Sequence, residues 1–457
     1  MELNYRNQKF ANIYGFFDKL GTKVNPGVLL LVVSLLTIII ANSSLHDWYE
    51  SIWKVKFFLG TERFNILSHQ DHAFTTLQIV NDALMAIFFF SVGLEIKREL
   101  LVGELSSFRQ ATLPFIAACG GMIVPVAIFF CIGKLNNFSP EELRGMTIPM
   151  ATDIAFSLGV LSLLGKKVPL SLKIFLLALA IVDDIGGIVV IALFYSQFTT
   201  ASFMYLLVSA LLFGVLILGN RLRINSKLFY AFGGIIIWYM FLQAGIHPTI
   251  AGVLVAFTIP ARPHINVNKF TQAIQHDLDA LRKTIPVDGK ESIVLSNQQI
   301  KHLSHVEMAS DRVISPLQDF EDNLGNTVNY FIMPLFAFTN AGVVFDFSNL
   351  NIFSGVTLSI FLGLVLGKMI GIFTFTWLAV KLKISSISKG MTWMNLFGLS
   401  ILAGIGFTVA LFLAGLSYPL GSILLNQAKT GVILGSFISG IIGYLILRIT
   451  LTKKKMV

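Results

Sequence analysis

Four ionisable residues stand deep inside apolar runs of this 457-residue chain, and three of them are carboxylates. Asp153 interrupts PMATDIAFSLG, Asp183 and Asp184 sit side by side in LALAIVDDIGGIVVIALFY, and Lys368 centres LGLVLGKMIGIF. One charge at mid-membrane costs roughly 2.5–3.5 kcal/mol even on insertion scales. Three carboxylates and an ammonium are a costly set to keep for stability alone. Adjacent helix residues project about 100° apart. One aspartate of the pair can therefore meet a lysine on another helix while its neighbour faces an aqueous cavity. Carboxylate oxygens are hard donors that suit Na⁺ or Li⁺ and also take up H⁺. No Cys or His accompanies them for a softer metal. A structural ion-pair network is the competing reading, and it is strongest for Asp183 with Lys368.

Thr152 precedes Asp153 where Pro149 and the polar pair interrupt the run. Its hydroxyl can cap a helix break locally or lend an oxygen to a cation. The two half-helix ends there carry opposed partial charges, and Lys368 can offset the negative one. Gly398, Gly404 and Gly406 interrupt a second run, 393–418. An interrupted helix in each half of a chain is a pointer to a transport site at a repeat interface.

These residues need a membrane-spanning frame, and composition supplies one. The chain is 55% apolar and 13% charged, with a mean hydropathy of +0.76; ordinary soluble chains are about a quarter charged. Apolar runs that reach or approach the ~30 Å of a bilayer core fall at 26–42, 73–94, 111–133, 146–165, 168–195, 202–219, 228–244, 245–260, 327–345, 355–380, 393–418 and 430–448. The expected fold is an all-α polytopic membrane protein of about twelve spans in one transporter domain over 1–457. The seventh and eighth runs form a closely joined pair near Gln243 to Pro248. The first run, from Pro26, is read as a retained span rather than a cleaved signal. Cys119 and Cys131 share one apolar run and are expected to be buried, inert thiols rather than a disulfide.

The loops vote on orientation. With both termini inside, 26 basic residues fall on the cytoplasmic side, against Lys54, Lys56, Arg63, Lys134, Arg144 and Lys429 on the other. Both termini are therefore expected in the cytoplasm. The net charge of +9 is read as this topology signal, so no nucleic-acid partner is expected. The one long connection, 261–325, is polar and mixed in charge, its first part expected partly helical or mobile.

At this point the sequence resembles the NhaA family of bacterial Na⁺/H⁺ antiporters over nearly its whole length. The resemblance rests on NDALMAIFFFSVGLEIKREL (81–100), ATDIAFSLG (151–159), LALAIVDDIGGIVVIALFY (177–195), GIHPTIAGVLVAFTIP (245–260), SPLQDFED (315–322), PLFAFTNAGV (334–343), GLVLGKMIG (363–371) and ILAGIGFTVALF (401–412). It implies two inverted three-helix repeats, 111–195 and 355–448, whose interrupted helices cross near mid-membrane. Those helices carry Thr152–Asp153 and Gly404–Phe407. By resemblance, Asp184 is the ion-binding carboxylate, Asp183 its neighbour paired with Lys368, and Asp153 with Thr152 the assisting polar step. The resemblance also implies exchange of two protons for each sodium, activity at alkaline pH, and a multi-pass place in the bacterial inner membrane. Lipid is then the main partner, with a homodimer allowed. Neither a cofactor nor ATP is implied, since Na⁺, Li⁺ and H⁺ are cargo.

Family pH-response positions carry over to Glu95, Glu99, Glu321, His247 and Asp82. Many members place a histidine after the residue matching Glu321, where this chain has Asp322; that departure bears on the pH set-point. The 261–325 connection is longer than usual for the family. Read without the resemblance, GLEIKREL is also a plain charged helix end, and His247 before Pro248 a helix cap. His69, Asp71 and His72 read as a solvated loop rather than a zinc site, and His276, His302 and His305 show no convincing site spacing. The absence of HExxH or a Gly-rich nucleotide loop argues against an enzyme or ATP-driven pump. A channel would need rings of carbonyls or charges, which one asymmetric Asp/Asp/Lys cluster does not supply. A cation–substrate symporter would instead show sodium-stimulated uptake of an organic solute, and a scaffold no transport.

Overall fold

The computed structural model describes residues 25–57, 72–196, 202–263, 265–284, 294–344, 355–388 and 390–453, with the two-residue backbone segments 60–61, 64–65 and 68–69. The fold is helical; among the described residues its strands are four two-residue segments, paired antiparallel as Gly60–Thr61 with Phe64–Asn65 and Ser68–His69 with His72–Ala73. The side chains of His69, Asp71 and His72 lie outside the described residues.

Among the described residues seven helices are long and apolar enough to cross a bilayer: α3 (Thr76–Val102), α4 (Phe108–Leu135), α7 (Leu170–Phe194), α8 (Ser202–Arg221), α9 (Lys227–Ala244), α14 (Gly355–Lys381) and α17 (Ile423–Lys453). Three bent pairs join them: α1 (Pro26–Ala41) with α2 (His46–Trp53) at 113°, α5 (Pro140–Met150) with α6 (Ile154–Ser162) at 42°, and α15 (Trp393–Leu402) with α16 (Phe407–Ser417) at 42°. The short apolar α10 (Pro248–Thr258) and the continuous helix α13, made of Pro316–Thr327, Val328–Ile332 and Met333–Asn340, pack against α3 and α1; counting each bent pair once, up to ten passages among the described residues have the length and composition of a span. The remaining two helices, α11 (Val267–Lys283) and α12 (Asn297–Val313), form a hairpin between α10 and α13.

Local chemistry accounts for several boundaries. Gly245, at φ 75°, closes α9 in the left-handed conformation that a side chain resists. Pro248 then opens α10, so the seventh and eighth runs are indeed two helices. α3 runs on past its apolar stretch because GLEIKREL continues the helix until Gly103, where an added Cβ would meet the Glu99 carboxylate at 1.9 Å.

Close backbone approach between spans comes from small residues, as expected where lipid removes the hydrophobic drive between helices. α4 and α14 touch through Gly120 and Gly371: a Cβ on Gly371 would lie 2.1 Å from the Gly120 carbonyl oxygen, and the reverse distance is 2.3 Å. α3 and α10 meet likewise, where a Cβ on Gly252 would lie 2.3 Å from the Ala86 oxygen. The cysteine expectation fails here. Cys119 is half-buried and Cys131 exposed, because the packed face of α4 is taken by Gly120, Gly121 and Pro125. Both thiols are free, as expected.

Candidate functional site

The break between α5 and α6 spans residues 151–153, after Pro149, which stays inside a 3₁₀ segment. The break between α15 and α16 spans residues 403–406. The two breaks lie against each other and share their unpaired backbone groups. Asp153 N–H donates to the Ile405 carbonyl at 2.7 Å, and the Thr152 hydroxyl donates to the Ala403 carbonyl at 2.9 Å. Asp153 also caps α6, with Oδ1 accepting from Phe156 N–H at 2.9 Å. Its Oδ2 accepts from the backbone N–H and hydroxyl of Thr408, at 3.1 and 2.5 Å. Each broken helix thus supplies what the other lacks. Gly406 permits the approach, since a Cβ there would lie 2.9 Å from the Ala151 oxygen; Gly404 is held as closely against α14, where a Cβ would lie 2.4 Å from the Leu364 oxygen.

Thr152 therefore reaches across the crossing, while the local cap is Asp153. Thr408 was not singled out from the sequence. Its signal was available, since it is a hydroxyl just past the second break, as Thr152 is a hydroxyl within the first.

α7 brings the adjacent aspartates alongside. Asp183 accepts from Lys368 Nζ at 2.5 Å, with both side chains out of contact with solvent. Asp183 Oδ1 is buried with no hydrogen-bond partner among the described residues. Lys368 follows a π-helical turn, Gly363–Gly367, that resets the helix phase at its start. Its stem passes Gly121, where a Cβ would lie 3.7 Å from Lys368 Cδ. The ammonium goes to Asp183 rather than to a half-helix carbonyl.

Among the described residues Asp184 is the buried carboxylate that has no partner. It is 6% exposed, and it enters no hydrogen bond or ion pair among the described residues. It lines a cavity of about 880 Å³ that also touches Asp153, Thr152, Glu95, Glu321 and Asp322. A buried carboxylate left unpartnered at a cavity wall is suited to hold a cation or a proton. Its neighbours Asp183 and Asp153 are already committed.

The outer residues fall into two groups. Glu95 and Glu321 line the same cavity as Asp184. Arg98 bridges Glu321 at 2.9 Å and Glu99 at 3.0 Å, and Glu99 also accepts from Glu104 N–H at 3.0 Å. Glu99 is thereby tied to the turn that ends α3. Asp82 and His247 are elsewhere, facing each other at 3.8 Å. His247 caps α10 and shares a 2.7 Å hydrogen bond with the Thr249 hydroxyl; Asp82 sits in the π-helical turn 79–84. Neither lines the Asp184 cavity.

A family model described as Na⁺/H⁺ antiporter 1 matches residues 18–447. The chain belongs to that family. It is 50% identical over 455 residues to a Na⁺/H⁺ antiporter NhaA of Phocaeicola vulgatus, covering 99% of this chain and 98% of the relative. An antiporter of the same name from Bacteroides fragilis is 52% identical over 433 residues, 94% of this chain and 97% of its own. One from Porphyromonas gingivalis is 42% identical over 431 residues, 93% of each. Membership in the antiporter family makes the chain a multi-pass membrane protein of a transporter class.

Proposed function

We propose that this chain exports Na⁺, or Li⁺, in exchange for H⁺, with Asp184 as the group that holds either ion. The observation that carries the reading is the free Asp184 carboxylate on the cavity wall, beside an Asp183–Lys368 pair that is closed off from solvent. Competition for one carboxylate couples the two fluxes, since a protonated site cannot hold the cation and a loaded site cannot hold the proton. Asp153 and Thr152 assist by fixing the crossing and setting the charge around Asp184. Lys368 compensates Asp183 and supplies a further exchangeable proton near the site.

In this reading two protons enter for each sodium that leaves, and the exchange is electrogenic. One net positive charge then moves inward per cycle. An inside-negative potential contributes about 2.3 kcal/mol per 100 mV to sodium export even without a proton gradient. Glu95, Glu99 and Glu321, with Arg98 between the last two, tune the response to pH from the cavity mouth, and Asp82 with His247 do so from the α3–α10 contact. The three-helix units 111–195 and 355–448 act as an inverted pair around the crossing. The basic-residue bias supports an inner-membrane protein with both termini and the 261–325 connection in the cytoplasm. Lipid is its main partner, a homodimer is compatible with the reading, and no cofactor or ATP is needed.

The deciding experiment uses proteoliposomes clamped with potassium and valinomycin. An imposed potential alone, without a pH gradient, is expected to drive Na⁺ movement with H⁺ countermovement. A reversal point that ignores voltage would mean electroneutral exchange. Ohmic current without proton coupling would mean a channel.

A further inference from the structure

The α11–α12 hairpin carries a cluster that lies apart from the Asp184 cavity. Asp277 is the one buried residue of α11, on a helix that otherwise exposes even Val267 and Leu278. A buried carboxylate on so exposed an element needs partners, and its partners are imidazoles. His302 Nδ1 lies 2.8 Å from Asp277 Oδ1, and His305 Nδ1 lies 3.9 Å from the same oxygen. His276 Nδ1 is also 3.9 Å away, on a side chain 83% exposed. One ligand atom from each of Asp277, His302 and His305 lies within 4.8 Å of the other two.

We propose that Asp277, His302 and His305 form a site for a divalent transition-metal ion of the zinc class, which staples α11 to α12. The donor set decides the class. Two imidazoles and one carboxylate suit zinc and its neighbours, whereas alkali ions want oxygen alone. His302 and His305 are three residues apart on one helix and so share a face, and Asp277 closes the site from the facing helix. Zinc–nitrogen bonds of about 2.0–2.1 Å put tetrahedral ligand atoms roughly 3.3 Å apart, and the 2.8 and 3.9 Å separations from Asp277 bracket that value. In the metal-free hairpin His302 Nδ1 and Asp277 share a hydrogen. On binding, the neutral imidazole moves that proton to Nε2 and Nδ1 takes the metal. The fourth position opens to solvent and water.

The two ligand histidines escape a reading of spacing because the third ligand comes from another helix, across residues 285–293.

The test uses the full-length, untagged chain in detergent after chelation. Zn²⁺ titrated against a chromogenic chelator is expected to bind at one equivalent per chain, and Co²⁺ to give the visible absorption of a tetrahedral nitrogen–oxygen site. His305→Ala leaves the Asp277–His302 hydrogen bond intact, so its metal-free melting should match the parent. It is expected to weaken binding by more than about 100-fold, since loss of a second-shell partner already costs 10–100-fold. Asp277→Asn combined with His302→Ala should abolish the equivalent. No saturable equivalent in the parent, or equal affinity in His305→Ala, overturns the proposal. Neither readout depends on transport.

Discussion

Lys368 and Asp183, 185 positions apart in the chain, meet at 2.5 Å with 0% and 1% of their side chains exposed. Such a pair is held in place by what its loss would leave behind. Removing one member strands a desolvated charge at a cost of about 3–5 kcal/mol, whereas removing both can be nearly neutral. Lys368→Ala is therefore expected to lower the melting temperature, and adding Asp183→Asn to recover much of it. In the single variant the exchange profile should move to more alkaline pH, because the buried carboxylate has lost its counter-charge. Lys368→Arg keeps a fixed cation and should retain exchange with an altered profile. Titrating exchange across pH in both variants checks this, and profiles that overlay the parent would remove Lys368 from the cycle.

Asp184→Asn keeps the shape of the site and removes its charge. Membrane insertion and melting are expected to match the parent, since Asp184 holds no partner that its loss would strand. Na⁺-driven proton release in proteoliposomes should be abolished. Exchange at the parental rate would move the ion site to another group.

Thr408→Val tests the crossing. It deletes the hydroxyl that donates to Asp153 at 2.5 Å but keeps the backbone donor at 3.1 Å. A hydrogen bond to a charged group is worth about 1.5–3 kcal/mol, and a loss in that range is expected in melting. The sodium needed for half-maximal exchange should rise. Thr408→Ser, which restores the donor, should return both readouts toward the parent.

Gly371→Ala addresses the contact that lets Lys368 arrive. Its Cβ would press on the Gly120 carbonyl, and backbone on backbone cannot yield as a flexible side chain would. Overpacking costs about 1–3 kcal/mol, and here it also pushes α14 away from α7. Gly187→Ala on α7 meets nothing within 4 Å and serves as the neutral comparison. Lower exchange and melting in Gly371→Ala alone are expected. Equal behaviour of the two variants would mean that the α4–α14 approach does not govern the site.

Several of these groups were legible before any coordinates. Asp153, Asp183, Asp184 and Lys368 stood out because a charge in an apolar run has few explanations, and the runs located the spans that carry them. Boundaries were less legible. α13 starts at Pro316 rather than near 327, because its first turns carry Glu321 and Asp322 toward a cavity and polar residues there hide a helix that hydropathy alone would end. Thr408 and the Asp277 cluster were missed for one reason: each depends on a partner brought in by the fold, at no regular spacing in the chain. The thiols were misjudged because apolar surroundings in the sequence do not distinguish a helix neighbour from lipid.

The hairpin has one more property, and it concerns length. Leu317 N–H donates to the Pro260 carbonyl, and Ile265 N–H to that of Arg312, both at 3.1 Å. The chain thus returns to the point at which it left, closed by its own backbone before α13 begins. Whatever lies between those ties can lengthen, shorten or be replaced without moving α10 or α13. For a laboratory that wants a fluorescent domain, an epitope or an affinity handle inside this chain rather than at its ends, residues 266–311 are the place to put it.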